Sequence, residues 1–250
     1  MSDLFAVEER DRVRARIVEM AGADDRIVAG AEIGALAKGT DDRWSDLDLT
    51  FGLAEGTSVE EVLADWTGAT AREFAAVHLF DLQVPPTVYR VFLLPGNLQV
   101  DLSFTPGTEL IARGMKHTVL FGDVRERDRA APRSAEDLFG WGVHHAVRAR
   151  FCIERGRWWH AEYWIAQLRD HALMLACRRR GLEPSYGRGF DDLPPEVLEK
   201  ATHALVRSID RAELLRALSA GVELLLGEAD EVRELAAKLE PQLRDLTAPA

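Results

Sequence analysis

Gly34 to Leu49 reads GALAKGTDDRWSDLDL, and the chain around this stretch organises the whole sequence. Its last part runs into SDLDLTF (residues 45–51), which alternates polar and apolar residues as a half-buried strand does. Residues two apart on a strand point to the same face, so Asp46 and Asp48 project side by side. With 42 acids in 250 positions, roughly seven acid-x-acid pairs arise by chance, so the context has to supply the specificity. Two neighbouring carboxylates repel each other, and a divalent cation between them offsets that cost. Mg²⁺ characteristically accepts one or two carboxylates plus substrate phosphates. The alternative is a solvent-facing acidic strand that binds nothing.

Upstream, Gly34-Ala35-Leu36-Ala37-Lys38 follows the strand-like RIVAGAEI (residues 26–33) directly. A glycine turn there can aim backbone N–H groups at an anion, and Lys38 supplies a point charge suited to phosphate. Downstream, LQVDLSF (residues 98–104) places Asp101 opposite the face of Val100 and Leu102, where it can add a third carboxylate from another strand. Pro95-Gly96-Asn97 marks a hairpin that sets TVYRVFLL (residues 87–94) antiparallel to that strand.

The strand-rich part continues with FAAVHLFDL (residues 74–82), and Ser58 with Glu61 at capping-box spacing opens a helix over 58–71. After Pro132 the period changes to that of helices. One is expected from Ser134 to about Arg155 and a second from Trp158 to Arg180, stopped by Gly181. Further helices are expected from Pro194-Pro195, after Asp210 and near Glu228, with a loop at LEPSYGRGFDD. Trp158, Trp159, Tyr163 and Trp164 are expected to pack in the core between the two parts. The reading is α+β: residues 1–125 form a mixed sheet with flanking helices, and residues 126–250 form a helical bundle.

Composition narrows the function. A net charge of −11 argues against a general nucleic-acid binder, whose affinity comes from counterion release by a basic surface, and suits a cationic partner, a metal-chelated ligand or solubility alone. Cys152 and Cys177 stand alone, without the spacing of a disulfide framework or a zinc site. The start, MSDLFAVEERDRVRAR, is charged from Asp3 onward, and no apolar run approaches a membrane span. A cytoplasmic protein is expected, with no membrane partner.

GALAKGTDDRWSDLDL together with Asp101 resembles the signature of the DNA polymerase β-like nucleotidyltransferase superfamily. There a Gly-Ser turn precedes an Asp-x-Asp strand and a third acid follows. The resemblance is strongest to the small antibiotic nucleotidyltransferases, which modify aminoglycosides and lincosamides and append a helical domain to this core. It implies that Asp46 and Asp48 hold divalent metal, two Mg²⁺ ions, with Asp101 as base or further ligand. It also implies that Gly34 and Lys38 contact the triphosphate of ATP or another nucleoside triphosphate, and that Ser45 caps or orients the metal strand. Ala35 stands where the family usually has serine, so a hydroxyl that would bond a phosphate oxygen is missing. The implied activity moves a nucleoside monophosphate, AMP in the first instance, to a hydroxyl of a small molecule, a cationic one among the candidates. The alternative is a regulatory module that binds nucleotide or a partner protein without turnover. Modification of a protein or an RNA end is a third reading, and the acidic balance disfavours RNA.

Overall fold

The computed structural model describes residues 4–107, 112–113, 117–124, 126–127 and 132–248, with the side chains of Lys38, Ala112, Arg113, Glu126 and Arg127 outside that description. The chain divides into two compact units, Met1–Ala131 and Pro132–Ala250. The architecture is α+β, a mixed sheet with flanking helices followed by a helical region.

The first unit runs α1 (Val7–Gly22), β1 (Ile27–Glu32), α2 (Gly34–Lys38), β2 (Leu47–Leu53), α3 (Val59–Phe74), β3 (Val77–Val84), β4 (Thr87–Leu93), β5 (Gln99–Pro106), β6 (Ala112–Arg113), β7 (Thr118–Phe121) and β8 (Glu126–Arg127). Six strands form one sheet in the order β3-β4-β5-β2-β1-β7, while β6 and β8 pair separately. β2 and β5 lie parallel at its centre, and the remaining neighbours in the large sheet are antiparallel. The turn at Pro95-Gly96-Asn97 returns the chain from β4 to β5 as expected.

Alternation gives the sheet two chemically distinct faces. Leu47, Leu49 and Phe51 of β2 and Val100, Leu102 and Phe104 of β5 are buried in one core with Val13 and Ile17 of α1 and Val62, Leu63 and Trp66 of α3. Trp66 lies with its ring centroid 5.6 Å from that of Phe51 and 5.5 Å from that of Phe104, which locks α3 over the two central strands. The intervening residues, Asp48 and Thr50 on β2 and Asp101 and Ser103 on β5, occupy the opposite face. Helix α1 is one element that the charged N-terminal sequence concealed. Its buried stripe, Arg10, Val13, Ile17 and Ala21, carries an arginine, so the apolar period is diluted. Ser58 accepts the Glu61 amide at 3.3 Å and opens α3 as expected, but the helix continues to Phe74 and β3 starts only at Val77.

The second unit contains α4 (Ala135–Glu154), α5 (Trp158–Arg179), α6 (Pro195–His203), α7 (Arg211–Gly227) and α8 (Arg233–Thr247). Ser134 and Asp210 cap α4 and α7 through their side chains. Leu168, Leu175, Leu218 and Leu225 are fully or almost fully buried in its core with Phe139 and Ile153. Trp164 packs in this unit with its ring stacked on His145, whereas Trp158, Trp159 and Tyr163 are exposed, contrary to the expectation that the four would mostly pack in a core. Among the described residues no helix is long and apolar enough to cross a membrane.

Candidate active site

Asp48 and Asp101 are direct partners across the parallel β2–β5 pair, so their carboxylates share a face on adjacent strands. Asp46 precedes the first residue of β2 by one position and brings a third. Carboxylate oxygens of the three lie within 4.8 Å of one another, and all three residues are half-buried. The sequence made the first two neighbours by strand period alone; the third meets them because β5, the return strand of a hairpin, docks beside β2.

Burial pushes the Asp101 carboxyl up to about 6; the hydrogen bond from Gln99 opposes this, and the nearby charge of Asp46 adds a smaller push in the same direction as burial. Gln99 Nε2 donates to Asp101 Oδ1 at 3.1 Å, two residues earlier on the same strand face. A divalent ion would relieve this crowding of like charge, and oxygen donors at such mutual distances suit Mg²⁺. The residues present therefore fit a divalent metal.

The turn at Gly34 reaches the same carboxylates. Gly34 adopts φ +79°, a left-handed conformation that side chains disfavour, and a Cβ built there would lie 2.1 Å from Asp48 Oδ2. Both constraints call for glycine, and both arise because the Ile33 amide bonds the Asp48 carbonyl at 3.1 Å, drawing the turn against β2. Ala35 continues from Gly34 into the short helix α2, and Lys38 closes it, with its side chain outside the described residues.

The loop that delivers Asp46 is held from below by Arg10. This side chain is 3% exposed; it donates to the Asp42 carbonyl at 2.8 Å and pairs with Asp41 at 3.1 Å. Ser45 accepts the Asp42 amide at 3.0 Å and donates to the Asp42 carboxylate at 3.2 Å, while the Trp44 amide donates to that carboxylate at 2.8 Å. The hydroxyl of Ser45 thus orders the turn ahead of Asp46. Sequence reading missed Arg10 and Gln99. Gln99 carried a signal, since it sits two positions from Asp101 in an alternating strand; Arg10 carried none, because its partners in the loop before Asp46 lie more than 30 residues away.

No family model matches the sequence, and no curated protein matches it. Among solved structures the chain is similar to an aminoglycoside 6-adenyltransferase from Bacillus subtilis, at a TM-score of 0.42 and 12% identity, over 98% of this chain and 100% of that one.

Proposed function

We propose that the chain is a metal-dependent nucleotidyltransferase of the DNA polymerase β-like superfamily, moving a nucleoside monophosphate, AMP from ATP, to a hydroxyl of a small molecule. The observation that carries this reading is the meeting of Asp46, Asp48 and Asp101, from β5 and from the start of β2, within 4.8 Å. Asp46 and Asp48 hold divalent metal, with Asp101 beside them as base or further ligand. When bound, Mg²⁺ offsets charge on the triphosphate and on the attacking and leaving oxygens. The glycine turn lets the backbone lie close to Asp48, and Lys38 adds positive charge for the phosphates.

Asp101 acts as the base in this reading. Its carboxyl is pushed up to about 6, so it is mostly ionised at neutral pH yet accepts a proton more readily than an ordinary aspartate. The acceptor O–H loses its proton to Asp101, the new O–P bond forms at the α-phosphorus, and the bond to pyrophosphate breaks. Gln99 fixes the orientation of the carboxylate while this happens. Retention of three mutually repelling acids argues against a regulatory module, which gains nothing from holding them together. Free, buried Cys152 and Cys177 suit a reducing, cytoplasmic setting. An aminoglycoside or a lincosamide is the acceptor class that the resemblance suggests.

The test is incubation with Mg²⁺, labelled ATP and a panel of aminoglycosides, lincosamides and related alcohols. Pyrophosphate release with a nucleotidylated product is expected for at least one acceptor. Mg²⁺-dependent ATP binding without turnover on any acceptor would favour the regulatory module instead.

A further inference from the structure

We infer that Trp44 is the platform on which the base of the nucleoside triphosphate stacks, with Arg43 backing the opposite face of its ring. This inference rests on the nucleotidyltransferase reading above and adds a subsite to it. Trp44 is 58% exposed, whereas tryptophan is on average a highly buried residue. It is nonetheless held in place. Its amide donates to the Asp42 carboxylate at 2.8 Å, in the turn that Ser45 orders and Arg10 anchors. The guanidinium carbon of Arg43 lies 4.1 Å from the centroid of the Trp44 ring. One ring face is thus covered by a cation, and the high exposure of the residue leaves the other face to solvent. Arg43 forms no ion pair with a described residue, although Asp41, Asp42 and Asp46 are close in sequence, so the ring is the partner it keeps.

The place of Trp44 in the chain selects the base over the acceptor. The segment from Gly34 to Asp46 carries α2 and the turn ahead of β2. In the reading above its first residue lies at the phosphates and its last at the metal, so the nucleotide lies along it. Trp44 is its only aromatic residue. It stands two positions before Asp46, within about 7 Å between Cα atoms. A single ribose separates the α-phosphate from the base, so a base on Trp44 leaves the phosphates within reach of the carboxylates. The acceptor hydroxyl instead meets Asp101, which belongs to β5 and not to this segment. Chemistry favours the base as well. The open π-face of an indole takes a flat heterocycle without reading its edges, and an ammonium-rich acceptor would be repelled by Arg43.

The experiment titrates ATP, GTP or inorganic tripolyphosphate, each with Mg²⁺, into the full chain by calorimetry. Wild type is compared with Trp44→Ala and Trp44→Phe. Tripolyphosphate carries the phosphates without ribose or base, so it reports on the metal and the glycine turn alone. Trp44→Ala should weaken ATP and GTP by a similar factor, about five- to a hundredfold, the range for a base that loses its aromatic platform, and leave tripolyphosphate unchanged. Trp44→Phe should recover most of the nucleotide affinity. ATP should also quench part of the tryptophan emission of wild type, and that quenching should be absent from Trp44→Phe. Unchanged ATP affinity in Trp44→Ala would overturn the platform and leave the triphosphate site standing. An equal loss of tripolyphosphate would overturn it too, because the residue would then support the turn and not the base. Wild type that binds neither nucleotide nor tripolyphosphate with Mg²⁺ would instead overturn the nucleotidyltransferase reading on which the platform rests.

Discussion

Asp101→Asn should make the metal-free protein more stable at neutral pH while abolishing its turnover. The carboxyl is pushed from an ordinary value of 3.8 to about 6, chiefly by burial and then by Asp46. The fold therefore holds this proton more tightly than the unfolded chain does, and linkage makes stability fall as pH rises between those two values. A shift of about two units corresponds to at most ~3 kcal/mol. Solvent screens a half-buried group, which brings the expected penalty down to roughly 1–2 kcal/mol above pH 6. Asparagine keeps the shape and an oxygen for Gln99 to donate to, but has no charge to desolvate. In thermal unfolding at pH 7.5 with a chelator present, the variant should gain roughly 2–8 °C in Tm. At pH 4, where Asp101 is neutral in the folded protein, most of that gain should vanish. With Asp101 as the base, kcat should fall by roughly 10²–10⁴ while Mg²⁺ still stabilises the variant through Asp46 and Asp48. A variant that is less stable than wild type at pH 7.5, or whose difference does not change with pH, would refute the account of a carboxylate desolvated by the fold.

Other perturbations test the parts around the carboxylates. Gly34→Ala forces a side chain into a left-handed backbone and onto Asp48 Oδ2, so it should cost about 1–2 kcal/mol in denaturant unfolding and weaken Mg²⁺·ATP at least about tenfold in calorimetry. Arg10→Ala removes the buried anchor of the loop before Asp46; urea titration should show a loss of about 2–3 kcal/mol, with turnover falling further than the folded fraction does. Ala35→Ser adds a hydroxyl to the turn and should tighten nucleotide or raise turnover by up to ~2 kcal/mol, an effect absent if phosphate does not occupy the turn. Because Asp101 must lose its proton to accept a metal, Mg²⁺ affinity should fall by about tenfold per pH unit below about 6, and a flat profile between pH 5 and 7 would exclude it as a ligand.

Local signals in the chain were easily read, and non-local pairing was not. Ser58, Ser134 and Asp210 act on amides three residues away, so the starts of α3, α4 and α7 follow from short stretches of sequence. The hairpin at Pro95-Gly96-Asn97 is local in the same sense. The parallel pairing of β2 with β5 joins segments about 50 residues apart, and nothing in either strand specifies that Asp48 lies opposite Asp101 rather than one row away. Likewise, Phe80 and Leu82 read as ordinary strand hydrophobics; only the sheet order shows that they stand at an edge. Tryptophans misled for a related reason. Their size suggests burial, but on α5 Trp159 lies off the stripe formed by Ala161, Ile165, Leu168 and Ala172, and Trp158, the first residue of the helix, stands beyond the end of the packed stripe.

The most direct measurement is calorimetry of ATP binding with and without Mg²⁺, on wild type and on a protein carrying Asp46→Asn and Asp48→Asn. Wild type should bind ATP in a strongly Mg²⁺-dependent manner, and the doubly substituted protein should lose that dependence while remaining folded. Equal ATP binding by both proteins, or binding by wild type that ignores Mg²⁺, would contradict the assignment of these carboxylates to a metal-nucleotide site.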